Sequence, residues 1–151
     1  MTSRANSMLA GLERADFKLM PQRIAIVREL ADDLTHPTAQ ALFDRLRPAF
    51  PTMSFATVYN PLAALTECSL VQGLKLGGSV RLDPNTEPHH HAVCDACGVI
   101  HDIPLERVER VERVERAPPS ADSTSFLGFR VLREQRTYRG LCAQCIASPV
   151  S

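Results

Sequence analysis

Two Cys-x-x-Cys pairs, Cys94/Cys97 and Cys142/Cys145, carry most of the chemical information in this 151-residue chain. Four thiolates in two knuckles make a closed tetrahedral zinc site with no position left open for catalysis. The 44 residues between the knuckles fit a helix plus strands that return the C-terminus to the first pair. Gly98, directly after the first pair, lets the backbone wrap closely round a thiolate. Zinc at this place would hold tail and fold together. A redox dithiol is the competing use of such a pair, but two matched pairs without a βαβ context favour metal.

The run His89-His90-His91 stands just upstream of the first knuckle. Residues two apart on an extended segment share a side, so His89 and His91 point together and His90 points away. With Asp83 and Asp102 they offer a mixed nitrogen and oxygen set that suits Fe(II), Mn(II) or Zn(II) better than copper(I). The bland alternative is a solvated histidine cluster, or incidental nickel binding. One metal to hold the fold and another to sense is the pattern of a metal-responsive regulator. Taken alone, His36 before Pro37 reads as an ordinary loop residue. The fifth cysteine, Cys68, reads as a small buried apolar residue rather than a redox sensor.

Composition sets the frame. Apolar residues make up 44% of the chain, enough for a core, and the length suits one domain or two small ones. No run of about 18 apolar residues exists, so no membrane helix is expected. Met1–Ala10 lacks the basic-then-apolar layout of a signal peptide, and the protein is expected in the cytoplasm. In a reducing cytosol paired cysteines serve metals more often than disulfides. The 17 basic and 17 acidic residues cancel: 8 against 7 over residues 1–80, and 9 against 10 over 81–151. Neither half is a basic footprint, so any nucleic-acid contact must use a local patch and a dimer.

The elements that would position these residues follow from periodicity. Residues 6–18 read as an amphipathic helix with Leu9, Leu12 and Phe17 inward. A second helix starts at Pro21, with Ile24, Val27, Leu30 and Leu34 near one face, and stops around residues 35–37. Thr38 caps a third helix carrying Ala39, Leu42, Phe43 and Leu46, ended by Pro48 and Pro51. Ser54 caps a fourth, with Val58, Leu62 and Leu65 inward. Leu74-Lys75-Leu76 and Val80-Arg81-Leu82, joined by Gly77-Gly78-Ser79, read as a hairpin. Helices followed by a hairpin describe a winged helix-turn-helix, whose fourth helix would enter the major groove. A helical bundle with an added hairpin is the alternative. From about residue 84 the chain reads as strands around the first knuckle, a helix from Pro104 to about Arg116, and a strand pair over 129–139. The Glu-Arg-Val repeat at 106–114 places its valines on a slanted stripe, better suited to packing on a sheet than to a coiled-coil seam.

Taken together, Pro21-Gln22-Arg23, His36-Pro37-Thr38-Ala39, Ser54-Phe55-Ala56-Thr57-Val58-Tyr59-Asn60, Arg81-Leu82-Asp83, residues 89–98 and Gly140-Leu141-Cys142-Ala143-Gln144-Cys145 resemble the ferric uptake regulator superfamily of metal-dependent bacterial repressors. They run from about residue 20 to 145 in the family's order. The resemblance implies an α+β protein: an N-terminal winged helix-turn-helix DNA-binding domain (1–83) and a C-terminal α/β dimerisation and metal-binding domain (84–151) with a four-cysteine zinc site. It implies a homodimer on a palindromic double-stranded DNA operator, with no membrane partner. The aspartates at 83 and 102 make the set most like the peroxide-responsive branch, whose ligands fall on His36, Asp83, His89, His91 and Asp102. Structural zinc would sit on Cys94, Cys97, Cys142 and Cys145, and regulatory Fe(II) or Mn(II) on the other set. His36, unremarkable alone, becomes a ligand candidate on the same resemblance.

In that branch iron and peroxide insert oxygen into a ligand histidine, here His36 or His89, and the repressor releases its genes; manganese would leave it deaf to peroxide. The event is sacrificial, so an enzyme is not expected. The resemblance also places Tyr59 on the recognition helix and makes Arg23, Thr57 and Asn60 DNA-contact candidates. Two residues depart from the pattern. Pro61 lies inside the recognition helix, where it costs roughly 3 kcal/mol unless the helix kinks. Met20 stands where a Thr cap is common, weakening that helix start by about 1 kcal/mol. The alternatives are an iron- or zinc-uptake regulator of the same family without peroxide sensing, and a zinc-ribbon protein-interaction module.

Overall fold

The computed structural model describes residues 1–76, 78–107, 125–126, 128–130, 132 and 134–148, and the chain divides into two compact units, Met1–Thr86 and Glu87–Ser151. Among the described residues no helix is long and apolar enough to cross a membrane.

The first unit holds four helices and a hairpin: α1 (Ser3–Arg14), α2 (Pro21–Ala31), α3 (Ala39–Leu46), α4 (Phe55–Glu67), β1 (Gln72–Leu76) and β2 (Ser79–Asp83). Three of the helices start on side-chain caps. Thr2, Thr38 and Ser54 accept from the amides of Ala5, Ala41 and Thr57, satisfying donors that a helix start leaves open. Met20 gives α2 no such bond; Pro21 at its first turn has no amide to satisfy, and the Arg23 amide donates to the Met20 carbonyl (2.9 Å). The apolar stripes meet in one core built on Met8, Leu12, Ile26, Val27, Leu30, Leu42, Val58 and Leu65, closed by Val71 and Leu82. At Gly11 a Cβ would sit 2.2 Å from Leu70 Cδ1, so the end of the Leu70 side chain packs where any larger residue would displace it. The hairpin pairs Leu74 with Arg81 and Lys75 with Val80, antiparallel. This is the winged helix-turn-helix expected from the pattern.

Three expectations for this unit need correction. The first helix begins at Ser3 and ends at Arg14, where Asp16 takes a positive φ of 63°; Phe17 packs on the core from outside the helix. The second helix ends at Ala31, three residues before Leu34, which is 70% exposed and contributes nothing to the inward face. Cys68 is exposed at the C-cap of α4, not buried. There the helix has already turned its Val58–Leu62–Leu65 stripe away.

The second unit is built on a sheet of order β4-β3-β7, with β3 (His89–Cys94) central, β4 (Ile100–Pro104) antiparallel to it and β7 (Thr137–Gly140) parallel. A small pair, β5 (Ser125–Phe126) with β6 (Phe129–Arg130), and a short helix α5 (Ala143–Ala147) complete the described elements. The strand pair expected over 129–139 is thus two strands with different partners: β6 joins β5, and β7 joins β3. Pro104 ends a strand. The chain is helical over 105–107, and the rest of the helix expected to reach Arg116 lies outside the described residues.

Candidate metal centres

The first knuckle is the turn between β3 and β4. The Cys94 amide donates to the Val99 carbonyl (3.0 Å) and the Gly98 amide to the Cys94 carbonyl (2.9 Å). Gly98 takes a φ of 77°, which explains a glycine there. The second knuckle spans the start of α5, and parallel pairing of β7 with β3 delivers it beside the first. Asp95 fastens the two together: its amide donates to the Gly140 carbonyl (2.7 Å) and its carboxylate pairs with Arg139 at 3.0 Å.

The four sulfurs of Cys94, Cys97, Cys142 and Cys145 lie within 4.8 Å of one another. Cys97 and Cys142 are 3.7 Å apart, far beyond a disulfide bond. Four sulfurs at about 2.3 Å from a tetrahedral ion stand about 3.8 Å apart, so this spacing fits zinc. The electrostatics fit as well. Backbone amides of Cys142 and Cys97 donate to the Cys94 sulfur and lower its thiol pKa to about 6. Cys145, hydrogen-bonded to the sulfurs of Cys142, Cys94 and Cys97, is pushed up to about 12. One thiolate is ready and the last must lose its proton to a metal.

A second donor set lies along β3 and β4. His91 pairs in register with Asp102, and His89 shares its face. The Nε2 atoms of His89 and His91 are 3.0 Å apart, and Asp102 Oδ1 lies 3.2 Å from the first and 3.5 Å from the second. Donors about 2.1 Å from one ion stand about 3.0 Å apart in octahedral and about 3.4 Å apart in tetrahedral geometry, so the three atoms fit one cation. The tautomer of His89 follows from its neighbour. Nδ1 lies 2.5 Å from the Glu87 carbonyl, which can only accept, so Nδ1 carries the proton and Nε2 keeps its lone pair. Gln135 stands 3.4 Å from His91 Nδ1. His90 faces the other way, as strand alternation requires, and accepts from the Arg136 amide at 2.7 Å. Burial, then the Arg136 cation, lowers its pKa.

The first unit holds its own pair. His36 Nε2 lies 3.6 Å from Asp83 Oδ2, both residues almost wholly buried. His36 takes a φ of 54°, a conformation uncommon outside glycine. Sequence reasoning gave no role to Arg81, which holds the His36 carbonyl, or to Asp33 and Arg45, which hold the preceding Thr35. The one available signal was that Arg81 and Asp83 share a strand face.

The DNA-contact candidates lie on the same unit. Tyr59, 54% exposed, and Asn60 sit on the outer side of α4, and Phe55 stacks 6.0 Å from the Tyr59 ring. The Thr57 hydroxyl shares a hydrogen bond with Ser54 (3.0 Å). Arg23 at the start of α2 donates to the Lys18 carbonyl (2.7 Å) and lies 5.0 Å over the Phe17 ring. Pro61 is buried inside α4, which runs through it to Glu67.

A winged helix followed by a sheet unit with a four-cysteine centre defines the class. Residues 14–118 match the family model for the ferric uptake regulator family, and the chain belongs to that family. It is 42% identical over 95 residues to the peroxide-responsive repressor PerR of Staphylococcus aureus, covering 62% of this chain and 64% of the relative; the match thus spans less than two thirds of that protein. Its fold is similar to the Helicobacter pylori ferric uptake regulator Fur (TM-score 0.72, 20% identity, 97% of this chain and 96% of that one). It is also similar to PerR from Streptococcus pyogenes, a structure described for peroxide sensing (TM-score 0.50, 26% identity, 95% and 94% covered).

Proposed function

We propose that this protein is a metal-dependent DNA-binding repressor that senses peroxide through oxidation of ligand histidines. The observation that carries the reading is the convergence of His89, His91 and Asp102 on one point, apart from the four-cysteine centre. Lone pairs held this close repel unless a cation or a proton sits among them. Nitrogen and oxygen donors beside a separate sulfur site provide for two different metals. Similarity to the S. aureus repressor supports the peroxide signal.

In this reading Cys94, Cys97, Cys142 and Cys145 hold structural zinc. His36, Asp83, His89, His91 and Asp102 hold one regulatory Fe(II) or Mn(II). Residues 1–83 supply the DNA-binding part and residues 84–151 the dimerisation and metal-binding part of a cytoplasmic homodimer on a palindromic operator. An ion bound more tightly in the DNA-competent arrangement than in the alternatives would favour that arrangement. Arg23, Thr57, Tyr59 and Asn60 contact the operator. Fe(II) held by these residues would supply the redox chemistry that activates peroxide, with no net change in its own oxidation state. The chain contributes the target: an imidazole C–H of His36 or His89 gains one oxygen atom while the other leaves as water, the ring losing two electrons and peroxide gaining two. An oxidised ring is a poor ligand, and the repressor releases its DNA. Each subunit reacts once, so this is regulation and not turnover.

The test is duplex binding by the zinc-loaded protein, with and without Mn(II). Binding that needs the second metal, and that Tyr59→Ala or Arg23→Ala abolishes, supports the reading. Duplex binding that both substitutions leave intact would sink the assignment of those two residues, and no specific duplex binding with or without Mn(II) would leave a zinc-held interaction module.

A further inference from the structure

His36 holds a left-handed backbone conformation, which persists only where the surroundings enforce it. Strand β2 does much of the enforcing. The Arg81 guanidinium donates through Nε to the His36 carbonyl and through Nη2 to the Thr35 carbonyl (3.1 Å). The next residue, Leu82, donates its amide to the Pro37 carbonyl at 2.8 Å. Asp83, two residues from Arg81 and on the same strand face, lies against the His36 ring. Three successive carbonyls and one imidazole of the 35–37 turn are thus gripped by three successive residues of the wing. From the other side Asp33 accepts from the Thr35 amide (2.7 Å) and hydroxyl (2.5 Å), and Arg45 of α3 pairs with Asp33 at 2.5 Å.

We propose that Arg81 is a positioning residue for the regulatory metal: its fork on the Thr35 and His36 carbonyls holds the His36 imidazole ready to ligate and couples that ligand to the wing. The inference rests on the functional reading above. A rigid, planar fork spans two carbonyls where an ammonium serves one, so Arg81→Lys keeps the charge and loses the bridge. Groups that orient a ligand without touching the metal typically govern affinity by about 10–100-fold.

The experiment is a double-mutant cycle on the zinc-loaded full chain, titrated with Mn(II) and read by the resonance of free manganese. Arg81→Ala is expected to weaken Mn(II) binding by about tenfold or more with His36 present. In a His36→Ala background it is expected to change affinity by less than about twofold. Arg81→Lys should fall between wild type and Arg81→Ala. Zinc content and the thermal midpoint of the manganese-free protein identify a variant that merely misfolds; in that event Arg81→Lys, compared in both His36 backgrounds, decides. Equal losses in both backgrounds, or no loss with His36 present, would overturn the proposal while leaving the functional reading intact. A zinc-loaded wild type that takes up no manganese would overturn the functional reading, and this inference with it.

Discussion

His89 and His91 face each other through their Nε2 atoms at 3.0 Å, with Asp102 Oδ1 3.2 Å from the first and 3.5 Å from the second. Strand alternation places the two rings on one face, and cross-strand pairing brings Asp102 to them. The expected consequence is a carboxylate-dependent metal site. Asp102→Ala should weaken Mn(II) or Fe(II) binding by at least about tenfold and leave zinc content unchanged. Metal analysis after dialysis measures both.

The four-cysteine centre predicts a coupling between zinc and protons. Backbone amides hold the Cys94 thiol down at about 6, and hydrogen bonds to the neighbouring sulfurs push Cys145 up to about 12. At neutral pH, Cys94 is already a thiolate, while Cys145 must give up its proton when zinc binds. Zinc loading at pH 7 should therefore release protons, and zinc affinity should fall as pH falls. Calorimetry in buffers of different ionisation enthalpy measures the protons. Cys142→Ser should lower zinc content and the thermal midpoint together.

Asp33 makes the acid limb of stability specific. Burial alone would raise its carboxyl, but hydrogen bonds from Thr35 and Arg45 outweigh this and hold it below its ordinary 3.8. A depressed folded-state pKa adds stability above the unfolded value, and that stability disappears as pH falls through the folded value. Asp33→Asn should cost about 1 kcal/mol at neutral pH. The gap to wild type should close below about pH 3.8, as read by denaturant midpoints across pH.

Pro61 leaves the Thr57 carbonyl without its in-helix amide partner, yet its ring is buried in the core-facing side of α4. Pro61→Ala restores the amide and gives up part of that apolar contact. The two effects oppose, and a net gain of about 1–2 kcal/mol is expected in urea unfolding. Operator preference measured on the same variant shows whether Pro61 also aims the end of the helix.

Much of the first unit was legible because its signals are local. Thr38 and Ser54 are caps that name their own helices, and Leu42–Leu46 and Val58–Leu62–Leu65 repeat at helical spacing. The Cys-x-x-Cys pairs and the two-residue offset of His89 and His91 gave their donor sets for the same reason. What failed was long-range or terminal. Nothing near residues 137–140 indicates that they pair in parallel with 91–94, since that partnership is made 46 residues away. Leu34 continues the apolar spacing of α2, but the chain turns at Asp32 and leaves it in solvent. Cys68 follows the core stripe of α4 in composition but stands at its exposed cap. The grip of Arg81 on Thr35 and His36 spans 46 and 45 residues and has no local signature.

Peptide mass spectrometry of the Fe(II)-loaded protein after low-dose hydrogen peroxide, beside a Mn(II)-loaded control, tests the central claim most directly. One added oxygen atom on His36 or His89, only with iron and in step with loss of DNA binding, is the predicted result. Unmodified histidines in a protein shown to hold iron at this site would contradict peroxide sensing and leave a metal-uptake regulator.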